Sequence, residues 1–167
     1  MTTHIKLRPW TSNDIETLAK FANNINIAKN LTNKFPSPYT IEDARIFIES
    51  FNTEFPVKVM AIEVNNEAVG SIGIFPQEDI ACKNAELGYL LSEEYWGKGI
   101  MPEAIIQMVE YGFKTFDITR IFARPFGPNI ASQRVLEKAG FTLEARFEKT
   151  FFKNGEYLDE LIYAIRQ

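Results

Sequence analysis

The stretch from Ala85 to Ala104, AELGYLLSEEYWGKGIMPEA, constrains the fold more than any other part of the chain. Ala85 to Leu91 is mostly apolar with polar residues on either side, the pattern of a buried strand. Gly97 and Gly99 flank Lys98 in a short loop. Pro102 then suits the first turn of a helix, where a missing N–H costs little. Ile105, Met108, Val109, Gly112, Phe113 and Phe116 follow at helical spacing. A glycine loop that feeds a helix N-terminus aims several unpaired N–H groups at one point, a geometry suited to phosphate or pyrophosphate. Two common phosphate binders are excluded. No Gly-Lys-Ser or Gly-Lys-Thr follows four residues after a first glycine, as an ATP-type loop requires. The third glycine of the dinucleotide fingerprint is also missing. A lone G-x-G is a weak signal, and by itself it reads as a plain glycine turn between strand and helix.

Around this unit the chain alternates hairpins with strand–helix–strand segments. His4 to Arg8 reads as a first strand. Thr11-x-x-Asp14 and Thr40-x-x-Asp43 read as capping boxes with Asp in place of the usual Glu, each opening an amphipathic helix. Asn23 to Pro38 reads as irregular, with Phe35-Pro36-Ser37-Pro38 as a rigid break. Val57–Val64 and Ala68–Phe75 read as two strands joined at Asn65-Asn66. Arg120 to Arg124 reads as a short strand. Pro128 to Ala139 reads as a helix with Ala131, Val135, Leu136 and Ala139 inward, ended by Gly140. Thr142–Phe152 and Tyr157–Ile165 read as strands around Asn154-Gly155, the strongest short hairpin signal. The expected class is α/β in the mixed α+β sense: a mixed sheet flanked by helices.

The 167 residues and 46% hydrophobic content suit one domain, residues 1–167, with a sizeable core. A net charge of −4 argues against a nucleic-acid partner and mildly favours cationic substrates such as amines. The single cysteine, Cys82, cannot form an internal disulfide, which points to a reducing compartment. With no signal-peptide h-region and no apolar run of membrane-spanning length, the expectation is a cytoplasmic protein without membrane contact. His4 and Cys82 read as non-catalytic, and no His/Cys/Asp spacing suggests a metal.

Trp96-Gly97-Lys98-Gly99-Ile100-Met101 resembles the acyl-CoA pyrophosphate loop of the GNAT N-acetyltransferases, of form Gln/Arg-x-x-Gly-x-Gly/Ala. Asn129-Ile130-Ala131-Ser132 followed by Leu136-Glu137-Lys138-Ala139-Gly140-Phe141 is similar to the N-x-x-S…L-E-K-x-G-F signature of the ribosomal-protein N-alpha-acetyltransferase-like branch. Leu7-Arg8-Pro9-Trp10-Thr11 and Asp159-Glu160-Leu161-Ile162-Tyr163 also resemble that branch, so the likeness covers nearly the whole chain. Trp96 replaces the usual Gln or Arg, and Met101 replaces the small residue that closes the loop. The resemblance implies a mostly antiparallel sheet splayed between its fourth and fifth strands, Ala85–Leu91 and Arg120–Arg124, with the pantetheine arm of acetyl-CoA in the gap. It implies an acetyl-CoA-dependent N-acetyltransferase that acts by direct attack of a primary amine, a protein N-terminus or a small molecule, on the thioester. The protein would be a monomer or a homodimer, with no metal.

On that reading the N–H groups of Gly97, Lys98, Gly99, Ile100 and Met101 hold the pyrophosphate, with the Lys98 ammonium as an added cation. The edge at Leu90 and Leu91 pairs with the pantetheine amides, and one of those two N–H groups faces the thioester oxygen. Glu86, a polar residue in an apolar strand, is the leading general base, or else it lies on a solvated face. Glu93 and Glu94 are weaker candidates. Many relatives place a tyrosine acid where this chain has Leu136, so Ser132 becomes the donor to the departing thiolate, or else a helix-surface serine. Asn129 either contacts the cofactor or caps its helix. Trp10, Phe35, Tyr39, Phe151 and Tyr157 either line the acceptor pocket or pack the core. The alternative for the whole chain is a non-catalytic acyl-CoA-binding module that kept the fold and lost the chemistry.

Overall fold

A computed structural model describes residues 3–167. The chain runs β1 (Ile5–Pro9), α1 (Ile15–Ala22), α2 (Ile25–Ala28), α3 (Ile41–Phe51), β2 (Val59–Val64), β3 (Glu67–Pro76), β4 (Asn84–Leu91), α4 (Ile100–Thr115), β5 (Arg120–Ala123), α5 (Ile130–Lys138), β6 (Thr142–Lys153) and β7 (Glu156–Arg166), with short 3-10 turns between some of them. Both capping boxes form. The Thr11 N–H donates to Asp14 Oδ2 at 2.9 Å, and the Thr40 N–H donates to Asp43 Oδ2 at 2.8 Å. Each pairs a helix-terminal donor that would otherwise go unmet. Both hairpin turns have the left-handed backbone that Asn and Gly tolerate: φ is 51° and 65° at Asn65 and Asn66, and 52° and 79° at Asn154 and Gly155.

The seven strands form one sheet in the order β1-β2-β3-β4-β5-β7-β6. Every neighbouring pair is antiparallel except β4 and β5, which run parallel. This is the mixed, mostly antiparallel sheet expected. Helices cover both faces. One face of β1–β4, with Ile62, Ile72, Ile74 and Leu87, packs against Ile105 and Met108 of α4 and Leu136 of α5. On the other face Val59, Ala61 and Ala68 pack against α1 and α3 through Leu18, Ala44 and Ile48.

Two local expectations need correction. Asn23–Pro38 is not wholly irregular: it contains α2, whose cap Asn24 accepts a hydrogen bond from the Asn26 N–H at 2.9 Å. Four residues are too few to show helical periodicity. In α5, Leu136 and Ala139 are buried and Val135 is partly so, but Ala131 is exposed and borders a cavity instead of the core.

Candidate active site

The strands β4 and β5 stay together for three residue pairs only, Asn84–Arg120, Ala85–Ile121 and Glu86–Phe122. Beyond Glu86, β4 continues to Leu91 paired with β3 alone. Past Ala123 the chain turns through Pro125 toward α5. A cavity of about 460 Å³ opens in this gap, between Gly88–Leu91 on one wall and Ala123–Phe126 with Asn129 and Ser132 on the other. Its far end is the loop of Gly97 and Gly99 and the first residues of α4.

Strand alternation decides which backbone groups of β4 face the gap. The Ser92 N–H donates to Val69 O at 2.8 Å, and Leu90 O lies against Gly70. Gly88 and Leu90 therefore turn their N–H and C=O toward β3, while Tyr89 and Leu91 turn theirs toward the gap. The Trp96 indole N–H, at 2.8 Å from Leu91 O, takes up the carbonyl on that open side. Trp96 thus ties the glycine loop to the end of β4.

Gly97 and Gly99 both have left-handed backbone, φ 71° and 75°, and Gly99 caps α4. At these angles an L side chain is strained, which is why glycine stands there. Beyond Gly99 the Ile100 and Met101 N–H groups have no helical acceptor, and Pro102 has no N–H to leave unmet. Ile100 and Met101, the first two residues of α4, are buried in the core and also border the cavity. Lys98 is exposed outside the cavity, its ammonium 5.0 Å from the centre of the Tyr95 ring.

Ser132 and Asn129 stand on the α5 side. Asn129 caps the helix, its Oδ1 accepting from the Ser132 N–H at 3.2 Å, and both residues border the cavity. Ser132 Oγ is hydrogen-bonded to the Tyr89 phenol oxygen. Sequence reasoning missed Tyr89. The signal was available, because Tyr89 is a polar-tipped residue in the same apolar strand that made Glu86 conspicuous. Leu136 is fully buried in the core. The phenol that reaches the gap comes instead from β4. Burial pushes the Tyr89 hydroxyl up to about 12, with the Ser132 bond acting the other way, so it is protonated at neutral pH.

Glu86 borders the cavity but is not simply solvated. Arg124 clamps it with two bonds, Nε to Oε1 at 2.9 Å and an Nη to Oε2 at 3.1 Å. Glu160 approaches the same guanidinium at 3.7 Å. The Glu86 bond, ahead of burial that acts oppositely, raises the Arg124 pKa. Glu93 accepts from Asn24 Nδ2 at 2.6 Å and Asn26 Nδ2 at 3.1 Å, which lower its carboxyl. This fastens α2 to the segment after β4 and leaves Glu93 a structural anchor. Of the aromatics expected at the acceptor pocket, Trp10 and Tyr39 are buried in the second core, with Phe35 stacked on Tyr39. Tyr157 is exposed against Phe152, and Phe151 packs on Phe126. The aromatic walls are Tyr89, Tyr95, Trp96 and Phe126. Among the described residues no helix is long and apolar enough to cross a membrane, and no group of His, Cys, Asp and Glu could hold a metal ion.

The profile of the acetyltransferase (GNAT) domain matches residues 4–142. The probable N-acetyltransferase YjcK of Bacillus subtilis is 37% identical over 60% of this chain, and the match spans 56% of that protein. The uncharacterized N-acetyltransferase YnaD of the same organism is 28% identical over 98% of this chain and 94% of its own length. Among solved structures, the microcin C7 self-immunity acetyltransferase MccE, in complex with acetyl-CoA and AMP, superposes with a TM-score of 0.82 at 28% identity, covering 98% of this chain and 92% of that one. Splayed strands, glycine loop and sequence likeness agree: the chain belongs to the GNAT acetyltransferase family.

Proposed function

We propose that this protein transfers the acetyl group of acetyl-CoA to a primary amine, a protein N-terminus or a small molecule, by direct attack on the thioester. The observation that carries the reading is the parting of β4 from β5 after three residue pairs, with a glycine-led helix N-terminus at the end of the opening. The residues present fit the group. The loop from Gly97 to Gly99, left-handed at both glycines, and the first turn of α4 offer N–H donors for a pyrophosphate, each charge-assisted bond contributing about 1.5–3 kcal/mol. Lys98, held beside Tyr95, adds a cation at the rim. The gap edge of β4 offers the alternating donors and acceptors that a pantetheine arm can pair with as a strand would.

Acetyl-CoA, when bound, supplies a thioester whose carbonyl carbon the amine attacks while the C–S bond breaks and its electron pair leaves on sulfur. The Leu91 N–H is the fixed donor for the oxygen that gains charge, in preference to Leu90, whose N–H is spent on β3. Ser132 Oγ donates to the departing sulfur, and Asn129 holds the start of α5 in place for it. Glu86 takes the amine proton, directly or through water. A carboxylate has about four acceptor positions and Arg124 uses two.

The same clamp favours a second reading, a non-catalytic acyl-CoA-binding module, because both oxygens of the candidate base are already engaged. Thiol release from acetyl-CoA, measured across a panel of protein N-terminal peptides, polyamines and small amines, separates the two. Amine-dependent release supports transfer. Calorimetric binding of acetyl-CoA with no release on any amine supports the module, and no binding at all overturns both.

A further inference from the structure

The Tyr89 phenol and the Ser132 hydroxyl meet across the gap from different elements, β4 and α5. A serine hydroxyl has one hydrogen and two lone pairs, so its partner decides where that hydrogen points. If Ser132 donated to Tyr89, its one hydrogen would be spent on the phenol. A phenol is the stronger acid of the two and hence the stronger donor. With its hydroxyl pushed up to about 12, Tyr89 keeps that hydrogen throughout the neutral range. With Tyr89 as the donor, Ser132 Oγ accepts from the phenol and its own hydrogen is free for another acceptor at the cavity that both residues border. Hydrogen bonds in such a chain polarise one another, so a serine that accepts from a phenol is also a better donor.

We infer that Tyr89 is the positioning residue of the leaving-group site: it orients and polarises the Ser132 hydroxyl toward the sulfur that departs. The inference rests on the acetyl-transfer reading above. Neither residue changes its protonation state. The electron pair of the broken C–S bond stays on sulfur, Ser132 Oγ–H donates a hydrogen bond to it, and the thiolate leaves or takes a proton from solvent. Tyr89 acts through Ser132, so its contribution exists only while Ser132 is present.

Turnover of Tyr89→Phe, Ser132→Ala and the double variant, together with wild type, tests this. Tyr89→Phe is expected to lower kcat about 3–10-fold with KM for acetyl-CoA within about twofold of wild type. In the Ser132→Ala background it is expected to change kcat hardly at all. A second measurement needs no turnover: the bound CoA thiol, titrated through its thiolate absorbance, should ionise at higher pH in Tyr89→Phe than in wild type, and Ser132→Ala should match the double variant. An unchanged kcat in Tyr89→Phe, equal losses with and without Ser132, or a thiol titration unmoved by Tyr89→Phe each overturn the inference while leaving acetyl transfer intact. A wild type that releases no thiol on any amine overturns the transfer reading first and this inference with it. The ring is retained in Tyr89→Phe, and a melting temperature near wild type confirms that the comparison is between folded proteins.

Discussion

Ser132, Gly99 and Glu86 make separable demands, and single substitutions read them apart. Alanine at 132 keeps the backbone N–H that Asn129 Oδ1 accepts, so the cap of α5 survives, but the Tyr89 phenol loses its partner and melting temperature should fall slightly. The hydroxyl alone is lost, and kcat should fall on the order of 10–100-fold, the worth of one hydrogen bond to developing charge, with acetyl-CoA affinity near wild type. Full activity in Ser132→Ala removes the residue from the mechanism. Gly99→Val acts through the backbone. A Cβ at Gly99 meets nothing within 4 Å, but φ of 75° is strained for a β-branched residue. The loop must relax to a different path, and calorimetry should show CoA affinity reduced at least about tenfold. Tight binding by folded Gly99→Val would place the pyrophosphate elsewhere. Glu86→Gln should lower kcat about 10²–10⁴-fold at neutral pH with little change in cofactor affinity. If its pH–rate profile keeps the acidic limb of wild type, the base is another group.

The elements that were legible in the sequence are those specified by neighbours along the chain. Asn65-Asn66 and Asn154-Gly155 carry their hairpins locally, and Thr11 and Thr40 find their capping partners three residues on. What was not legible lies across the fold. Glu86 meets Arg124 from 38 positions away and Tyr89 meets Ser132 from 43, and no local pattern registers such pairs. The four-residue α2 is held by Glu93, 69 positions from Asn24. The α1 cap also has a long-range part. Arg8 on β1 donates to Asp14 at 2.8 and 2.9 Å and also pairs with Glu63 of β2. Burial alone would raise the Asp14 carboxyl, but bonds from Arg8 and from the Thr11 N–H outweigh it and the net shift is downward. A carboxyl lowered in the fold stabilises it above its unfolded value of about 3.9, and that stability is lost as pH falls through the folded value. Wild type should therefore lose stability more steeply than Asp14→Asn below about pH 4. At neutral pH Asp14→Asn should be less stable by on the order of 2–4 kcal/mol, since Arg8 is left short of a partner. Parallel acid titrations of the two proteins by circular dichroism test the difference in slope.

For the whole molecule, the gap divides one sheet into a four-strand part and a three-strand part joined by three residue pairs. A ligand that spans both walls should stabilise the fold by mass action, about 2.7 kcal/mol at a hundredfold excess over Kd. For a chain of this size that is a rise in melting temperature of roughly 5–10 °C with CoA, and no rise at saturating CoA would contradict the cofactor assignment. The parted strand has one more consequence, which deuterium can read. Leu90 has its amide hydrogen in the β3 ladder, while Tyr89 and Leu91 hold theirs toward the opening. Amide exchange along Gly88–Leu91 should therefore alternate, slow at Gly88 and Leu90 and fast at Tyr89 and Leu91. Bound CoA should abolish that alternation by slowing the fast pair, so that the strand's own exchange rates count, residue by residue, the hydrogen bonds that the cofactor makes to it.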